Sequence, residues 1–175
     1  MNLQKQLRCV YLHAFFSTLR FTDAVWVALL AARGFSLAEI GLAEGVFHLT
    51  SLLCEVPSGM AADLLGRRRT LIFGGVLGVF SALAMASAPG LGLICTAMAL
   101  KALGYNMLSG TAEALIYDSL KMAGREKDYI KVDANASICM KIATALGSLA
   151  SLLAGVLRYA GYYLEDAVSA LLSAL

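Results

Sequence analysis

A short charged turn joins two apolar segments and has the sequence Gly59-Met60-Ala61-Ala62-Asp63-Leu64-Leu65-Gly66-Arg67-Arg68-Arg69-Thr70-Leu71. The segment before it runs from about Leu37 to Ala62, and the segment after it from about Thr70 to Ala88. Each is close to the roughly 20 residues that a helix needs to cross a bilayer. A charged turn between two such segments is typical of a membrane protein.

Composition agrees with this interpretation and excludes several classes of protein. Hydrophobic residues make up 59% of the 175 residues and charged residues 15%, whereas a soluble domain is roughly half apolar and about a quarter charged. The net charge of +2 is too small and too scattered to indicate nucleic acid as a partner. The sequence has neither a GxxxxGK[ST] phosphate loop nor the CxxC spacing of a zinc site. We therefore expect a protein that is embedded in a lipid bilayer, is not an enzyme, and has no cofactor or metal.

Further apolar segments predict an all-α, polytopic membrane helix bundle. The five complete transmembrane helices are expected at about Cys9 to Ala32, Leu37 to Ala62, Thr70 to Ala88, Leu91 to Ile116, and Ile138 to Leu157. Residues 117–137 are rich in charge and are expected to form a solvated loop, with some helix. A sixth helix begins near Leu164, and its remaining residues are too few to cross a bilayer at about 1.5 Å each. The expectation is one bundle over residues 1–175, truncated within the sixth helix and without a separate soluble domain.

Lysine and arginine placement predicts the orientation of this bundle. Ten of the fourteen basic residues fall on the N-terminal side of the predicted spans, whereas Arg33 and Arg158 fall on the other side. Cytoplasmic loops carry an excess of Lys and Arg, so we expect the N-terminus to be cytoplasmic.

The charged turn resembles the signature loop of the major facilitator superfamily, commonly written G-x-L-A-D-r-x-G-r-k-x-x-l. The matching positions are its glycines, its aspartate and its basic residues, namely Gly59, Asp63, Gly66, Arg67 and Arg68. Ala61 and Leu64 depart from the pattern, and Leu64 removes a usual basic charge. The resemblance implies the N-terminal six-helix half of a secondary transporter. An aspartate at a helix end can engage a neighbouring helix's positive N-terminus, so this loop is expected to act as a conformational latch; the alternative is a basic loop that only sets topology.

A second stretch, SGTAEALIYDSL at 109–120, looks like the SGxxEALxYDSL sequence of bacterial drug-efflux-type members of that superfamily. It implies that Glu113 and Asp118 mark the cytoplasmic end of the fourth helix, with Glu113 as a brace for the adjoining loop. It also implies small lipophilic substrates and the bacterial inner (plasma) membrane.

Polar residues within the predicted spans indicate a pathway independently of any resemblance. Charges are costly in hydrocarbon, so they are expected to face a cavity inside the bundle. Helical spacing places Glu44, His48, Ser51, Glu55 and Gly59 on one face of the second span, and Lys101, Tyr105, Ser109 and Glu113 on one face of the fourth. The predicted substrate and proton pathway consists of Arg20, Asp23, Glu44, His48, Lys101, Tyr105 and Asn106. The alternative is that Arg20 pairs with Asp23 or Glu44, and Lys101 with Asp23, only to neutralise buried charge.

The function predicted from these residues is alternating-access transport, most plausibly proton-coupled efflux. Asp23, with Glu44 second, is expected to change protonation as the cavity opens to either side, while Arg20 and Lys101 tune that carboxylate. Tyr105 and Asn106 would contact the small-molecule substrate. Uptake of a polar metabolite, a passive or signalling membrane protein, and a fragment without activity by itself stay open. Because the superfamily has two halves around one cavity, the chain is expected to need a missing C-terminal half or a second copy.

Overall fold

The structure is a computed structural model that describes residues 3–153 and 159–174. All regular secondary structure in these residues is helix. The helices are α1 Leu3–Thr18, α2 Trp26–Ala32, α3 Leu37–Leu65, α4 Arg67–Ser87, α5 Leu91–Leu108, α6 Thr111–Met122, α7 Tyr129–Leu153 and α8 Tyr159–Ala174, with a short 3-10 helix at Glu126–Asp128. The all-α prediction is confirmed for the described residues. The end of the predicted fifth span beyond position 153, and Arg158, lie outside them.

Three helical stretches in the described part of the chain are long and apolar enough to cross a membrane. They are α3, α4 and the stretch Leu91–Met122 that combines α5 and α6. The outer surface of α3 is apolar, as a helix in contact with lipid requires. Its residues Leu52, Val56 and Leu64 are 70%, 71% and 82% exposed. Lipid would cover this surface. The five complete spans predicted from the sequence are not confirmed by length and apolarity, and their full number stays a prediction.

Local signals fix both ends of α3. The Ser36 hydroxyl accepts a hydrogen bond from the Glu39 amide at 3.3 Å, and the Glu39 carboxylate accepts one from the Ser36 amide at 2.8 Å. This reciprocal capping satisfies backbone donors that have no partner within the first turn. At the other end Gly66 has a φ of +89°, a conformation that residues with a side chain rarely adopt. The chain therefore turns sharply into α4 within the predicted charged turn.

Two predicted spans are interrupted, which corrects the expectation of continuous helices. The first is divided between α1 and α2 by residues 19–25, and the fourth is divided at Ser109 and Gly110. Gly110 has a φ of +73°, so the backbone leaves helical geometry there. The cause of the first interruption is a set of long-range contacts described below.

Residues 117–137, predicted as a solvated loop with some helix, are largely exposed but mainly helical, so the loop part of that prediction is wrong. Most of this region belongs to α6 and α7, with Ala123 to Arg125 and the short 3-10 helix between them. Leu120, Val132 and Ala136 are buried in a cluster with Val10 and Ala14 of α1. Of the charges that suggested a loop, Lys121 and Lys131 are exposed on these helices, and Arg125, Glu126 and Lys127 are exposed between them.

The bundle has one apolar cluster at each end. The cluster at the end that carries Arg33 is built from α2 to α5 and α8, and includes Leu30, Met85, Ile94 and Tyr163. Between the clusters, α4 packs against both α5 and α8. Gly78 lies against Ala170 of α8, where an added methyl group would be 3.4 Å from the alanine side chain. Such small residues let the helices approach closely and leave the polar side chains to the other faces.

Candidate functional site: a charged cavity at the break between α1 and α2

The candidate site is built around the seven residues that separate α1 from α2. Within this break, the Phe21 amide donates a hydrogen bond to Asp166 Oδ1 at 2.7 Å, and the Thr22 hydroxyl donates one to Asp166 Oδ2. The Thr22 carbonyl then accepts from the Trp26 amide at 2.8 Å, where α2 begins. A side chain of α8 therefore replaces hydrogen bonds that a continuous helix would make within itself. The break leaves Arg20 and Asp23 on either side of this contact.

Asp23 forms an ion pair with Lys101 of α5. Lys101 Nζ lies 3.0 Å from Asp23 Oδ1, with the lysine side chain 30% exposed and the aspartate side chain 48% exposed. The pair joins the break to a helix far away in sequence. Because Asp23 is half-exposed, solvent weakens the attraction, and the carboxylate can exchange this partner for another without being stranded in an apolar interior.

A cavity of about 490 Å³ opens beside this ion pair. Its walls come from α1, the break, α5, α6 and α7, with Phe47 contributed by α3. Of the residues predicted for the pathway or for the end of the fourth helix, those that line it are Arg20, Asp23, Lys101, Tyr105 and Glu113. The rest of the lining includes apolar side chains such as Val10, Leu108 and Met140 and polar ones such as His13 and Asp133. The cavity thus presents both signs of charge together with apolar surface.

Glu44, His48 and Asn106 are placed elsewhere, contrary to the expectation of one polar wall. Glu44 and His48 pair with each other on the surface of α3, with Oε1 and Nε2 3.3 Å apart. Asn106 is buried between α5 and α3, where its Oδ1 accepts from the Ser51 hydroxyl at 2.7 Å and its Nδ2 donates to the Ser51 carbonyl at 2.6 Å. Helical spacing placed these residues on the correct elements. It could not show that partners on the same or the next helix satisfy them.

The charged turn between α3 and α4 lies at the opposite end of the bundle from Arg33. Arg67 contacts Asp63 at 2.9 Å, and its Nε lies 3.8 Å from Asp118 Oδ2 on α6. The predicted turn and the predicted end of the fourth helix are thus joined through one guanidinium. Arg68 is exposed, and the space beside Gly59 is open.

Sequence reasoning missed Asp166 and the role of α7 in the cavity. Asp166 is 3% exposed and sits within the apolar segment that begins near Leu164, so the same test that selected Asp23, a carboxylate inside a span, would have selected it. Asp133 also lines the cavity. It was assigned to the loop because neighbouring charges hid the helical pattern of α7.

Comparison with known proteins gives one relevant similarity. No protein-family model matches the chain. Over 120 residues, or 69% of its length, the chain is 29% identical to the inner membrane transport protein YajR of Escherichia coli strain K12. The matching region spans 26% of that relative's length. The similarity and the three apolar helices together support a membrane protein.

Proposed function

We propose that this chain forms part of a secondary transporter that moves a small molecule across a membrane by alternating access. The observation that carries the proposal is the cavity of about 490 Å³, whose lining within a largely apolar chain includes the charged residues Arg20, Asp23 and Lys101. Charges inside a membrane bundle are costly, and they commonly mark substrate or proton pathways. The similarity to an inner membrane transport protein and the resemblance of the charged turn to the major facilitator superfamily support the same function.

In this proposal Asp23 carries the proton that couples transport to a pH gradient. Protonation removes its charge and weakens its attraction to Lys101, which frees the ammonium group for another partner. A change of partner in the cavity would favour one of the two conformations over the other, as alternating access requires. Arg20 supplies a second cation in the same cavity, so the carboxylate stays attracted to the site when one cation binds substrate.

The substrate is proposed to be a small lipophilic compound that is exported. Phe47, Tyr105 and Met140 give the cavity aromatic and apolar surface that such a compound would cover. Uptake of a polar metabolite is the second candidate, and it is favoured by the presence of both cations and carboxylates in the same walls. A zwitterion would match that mixed lining, whereas an uncharged lipophilic compound would use the apolar part.

The chain is proposed to act together with a second bundle, either a C-terminal half or another copy. The Glu44 and His48 side chains on the surface of α3 are 42% and 70% exposed, which is unfavourable for polar groups in hydrocarbon. The relative that the chain matches is much longer than the matched region. A mass measurement in mild detergent, with and without a co-expressed partner half, would test this. A monomer that transports alone would contradict it.

The decisive experiment for function is flux through proteoliposomes with an imposed pH gradient. Ethidium serves as the lipophilic probe, a radiolabelled amino acid as the zwitterionic probe, and trapped pyranine reports proton movement. We expect Asp23→Asn to make flux of the transported probe independent of the gradient while the protein still inserts, because the variant keeps its size and loses the titratable charge.

Glu165→Gln provides a matched control. Glu165 is a carboxylate of α8 that lines a different, apolar groove with Phe16 and Leu164, so its neutralisation should leave coupling unchanged. Gradient-driven flux that is equal in Asp23→Asn and in the parent protein would remove Asp23 from the mechanism. Absence of flux for both probes in the parent, reconstituted with its partner bundle, would contradict the proposed function.

A further inference from the structure

The buried carboxylate of Asp166 on α8 contacts the break between α1 and α2, and it has no role in the proposed transport cycle described above. Its two oxygens accept hydrogen bonds from consecutive residues, the amide of Phe21 at 2.7 Å and the hydroxyl of Thr22. Both donors lie in the break, between Arg20 and Asp23. Asp166 itself is 3% exposed, so these bonds are shielded from bulk solvent, and hydrogen bonds in such surroundings are stronger than in water.

Asp166 also faces the cations of the candidate site. A void of about 20 Å³ is lined by Asp166, Arg20 and Lys101 together, and the same two cations line the large cavity. The same two cations therefore lie near a buried carboxylate, Asp166, and a half-exposed one, Asp23, which faces the cavity.

Three helices hold the break in place, and they do so in different ways. On α7, Gly147 allows the backbone of Arg20 to lie so close that an added methyl carbon would be 2.5 Å from its carbonyl oxygen. On α5, Lys101 binds Asp23 from the cavity side. Asp166 of α8 bonds to Phe21 and Thr22, which lie between Arg20 and Asp23 in the chain. This contact therefore sets the distance between Arg20 and Asp23 and the direction in which each leaves the backbone.

We propose that Asp166 is a positioning residue for the transport pathway, which holds Phe21 and Thr22 so that Asp23 meets Lys101 in the cavity. It touches neither substrate nor proton in this scheme and acts through the break. The inference deepens the proposed function, and its flux test rests on that function. The hydrogen-exchange test measures the break itself and requires no transport.

The direct test is hydrogen exchange of the break, measured by mass spectrometry on the full chain in lipid nanodiscs. Asp166→Ala should raise the exchange rate of the Phe21 amide by about tenfold, the scale of leaving a buried amide without its acceptor. Asp166→Asn keeps a carbonyl oxygen for that amide and should restore most of the protection.

Ser173→Ala is the matched control on α8. The Ser173 hydroxyl is buried and donates to the Ala170 carbonyl of its own helix at 2.7 Å, so its removal should leave exchange in the break unchanged. Thr22→Val serves as a second variant where Asp166→Ala does not fold, because it removes the hydroxyl partner and keeps the side-chain volume. It should raise exchange in the break by a smaller factor.

The second test separates positioning from general stabilisation. In the proteoliposome assay with ethidium, Asp166→Ala should lower gradient-driven flux in the parent, because Asp23 is no longer held against Lys101. In a Lys101→Met background the ion pair is already absent, so Asp166→Ala should add little further loss. A structural role alone would lower flux by the same factor in both backgrounds.

Unchanged hydrogen exchange of the break in both Asp166→Ala and Thr22→Val would overturn the inference. It would also be overturned if Asp166→Ala lowered flux by the same factor in the parent and in Lys101→Met. If the parent moves no ethidium, the proposed function fails for that probe, and the exchange result decides whether Asp166 holds the break. The two failures are thus distinguishable.

Discussion

Gly147→Ala should destabilise the bundle although alanine is the better helix former. A methyl carbon at this position would lie 2.5 Å from the Arg20 carbonyl oxygen, 3.1 Å from its carbonyl carbon and 3.2 Å from its amide nitrogen. Ordinary contacts between carbon and a carbonyl oxygen are about 3.3 to 3.6 Å. The backbone of the break must therefore move by about 1 Å, and it is tied to Asp166 and Lys101 on its other sides.

The size of the effect follows from two opposing terms. Replacing glycine by alanine within a helix stabilises by about 0.5 to 1 kcal/mol when the space is open, whereas forcing an extra carbon into a packed interior costs about 1 to 3 kcal/mol. The clash is with backbone rather than with the end of a flexible side chain, so we take the upper part of that range. Gly147→Ala should lower the free energy of unfolding by about 1 to 2 kcal/mol net.

Gly45→Ala is the control, since nothing lies within 4 Å of the position where its methyl group would be. The assay is unfolding of the purified protein in mixed micelles with increasing SDS. We expect the midpoint to fall for Gly147→Ala and to stay level or rise for Gly45→Ala. Equal or higher stability of Gly147→Ala would refute the close approach of α7 to the break, and with it the argument that three helices hold the break.

Two other substitutions test the remaining contacts. Asn106→Leu removes the hydrogen bonds to Ser51, and SDS unfolding should show a loss of about 0.6 to 1.7 kcal/mol, the range for bonds between membrane helices; unchanged stability would mean that the α3 to α5 contact is not made. Asp63→Asn weakens an exposed pair with Arg67, so stability should change by less than about 1 kcal/mol. It should instead alter the maleimide reactivity of single cysteines placed at the two ends of the bundle, and reactivity equal to the parent's at both ends would count against a latch.

The sequence was sufficient where short-range signals decide the structure. The limits of α3 and α4 were predicted to within a few residues, because Ser36 and Glu39 cap one end and Gly66 turns the chain at the other. The interruption between α1 and α2 was not predicted. It depends on Asp166 and Gly147, which are more than a hundred residues away, and no local pattern near Thr18 reports them.

For the candidate site, the sequence identified polar residues in spans, and the structure decided which of them meet. Lys101 and Asp23 were weighed as a pair, and the structure contains it. Glu44 and His48 were expected in the cavity, but they lie one helical turn apart on the surface of α3, where their side chains contact each other. Helical periodicity shows which residues share a face of a helix, but it does not show what that face contacts. Residues of α3 that contact each other therefore have the same sequence pattern as residues that face a cavity.

The two aspartates at the break differ in the way that a coupled transporter would require. Asp166 is buried and held by two hydrogen bonds, and moving it would strand both the carboxylate and a backbone amide, which is costly. Asp23 is half-exposed, lines the cavity and is bound through an ion pair with Lys101, a contact that costs less to break than a buried one. A rigid contact beside an exchangeable one lets a change at Asp23 act on α5 through Lys101 while the break keeps its place against α8. Under the proposed function, substitutions at Asp166 should therefore alter the geometry of the site, and substitutions at Asp23 should alter its response to protons.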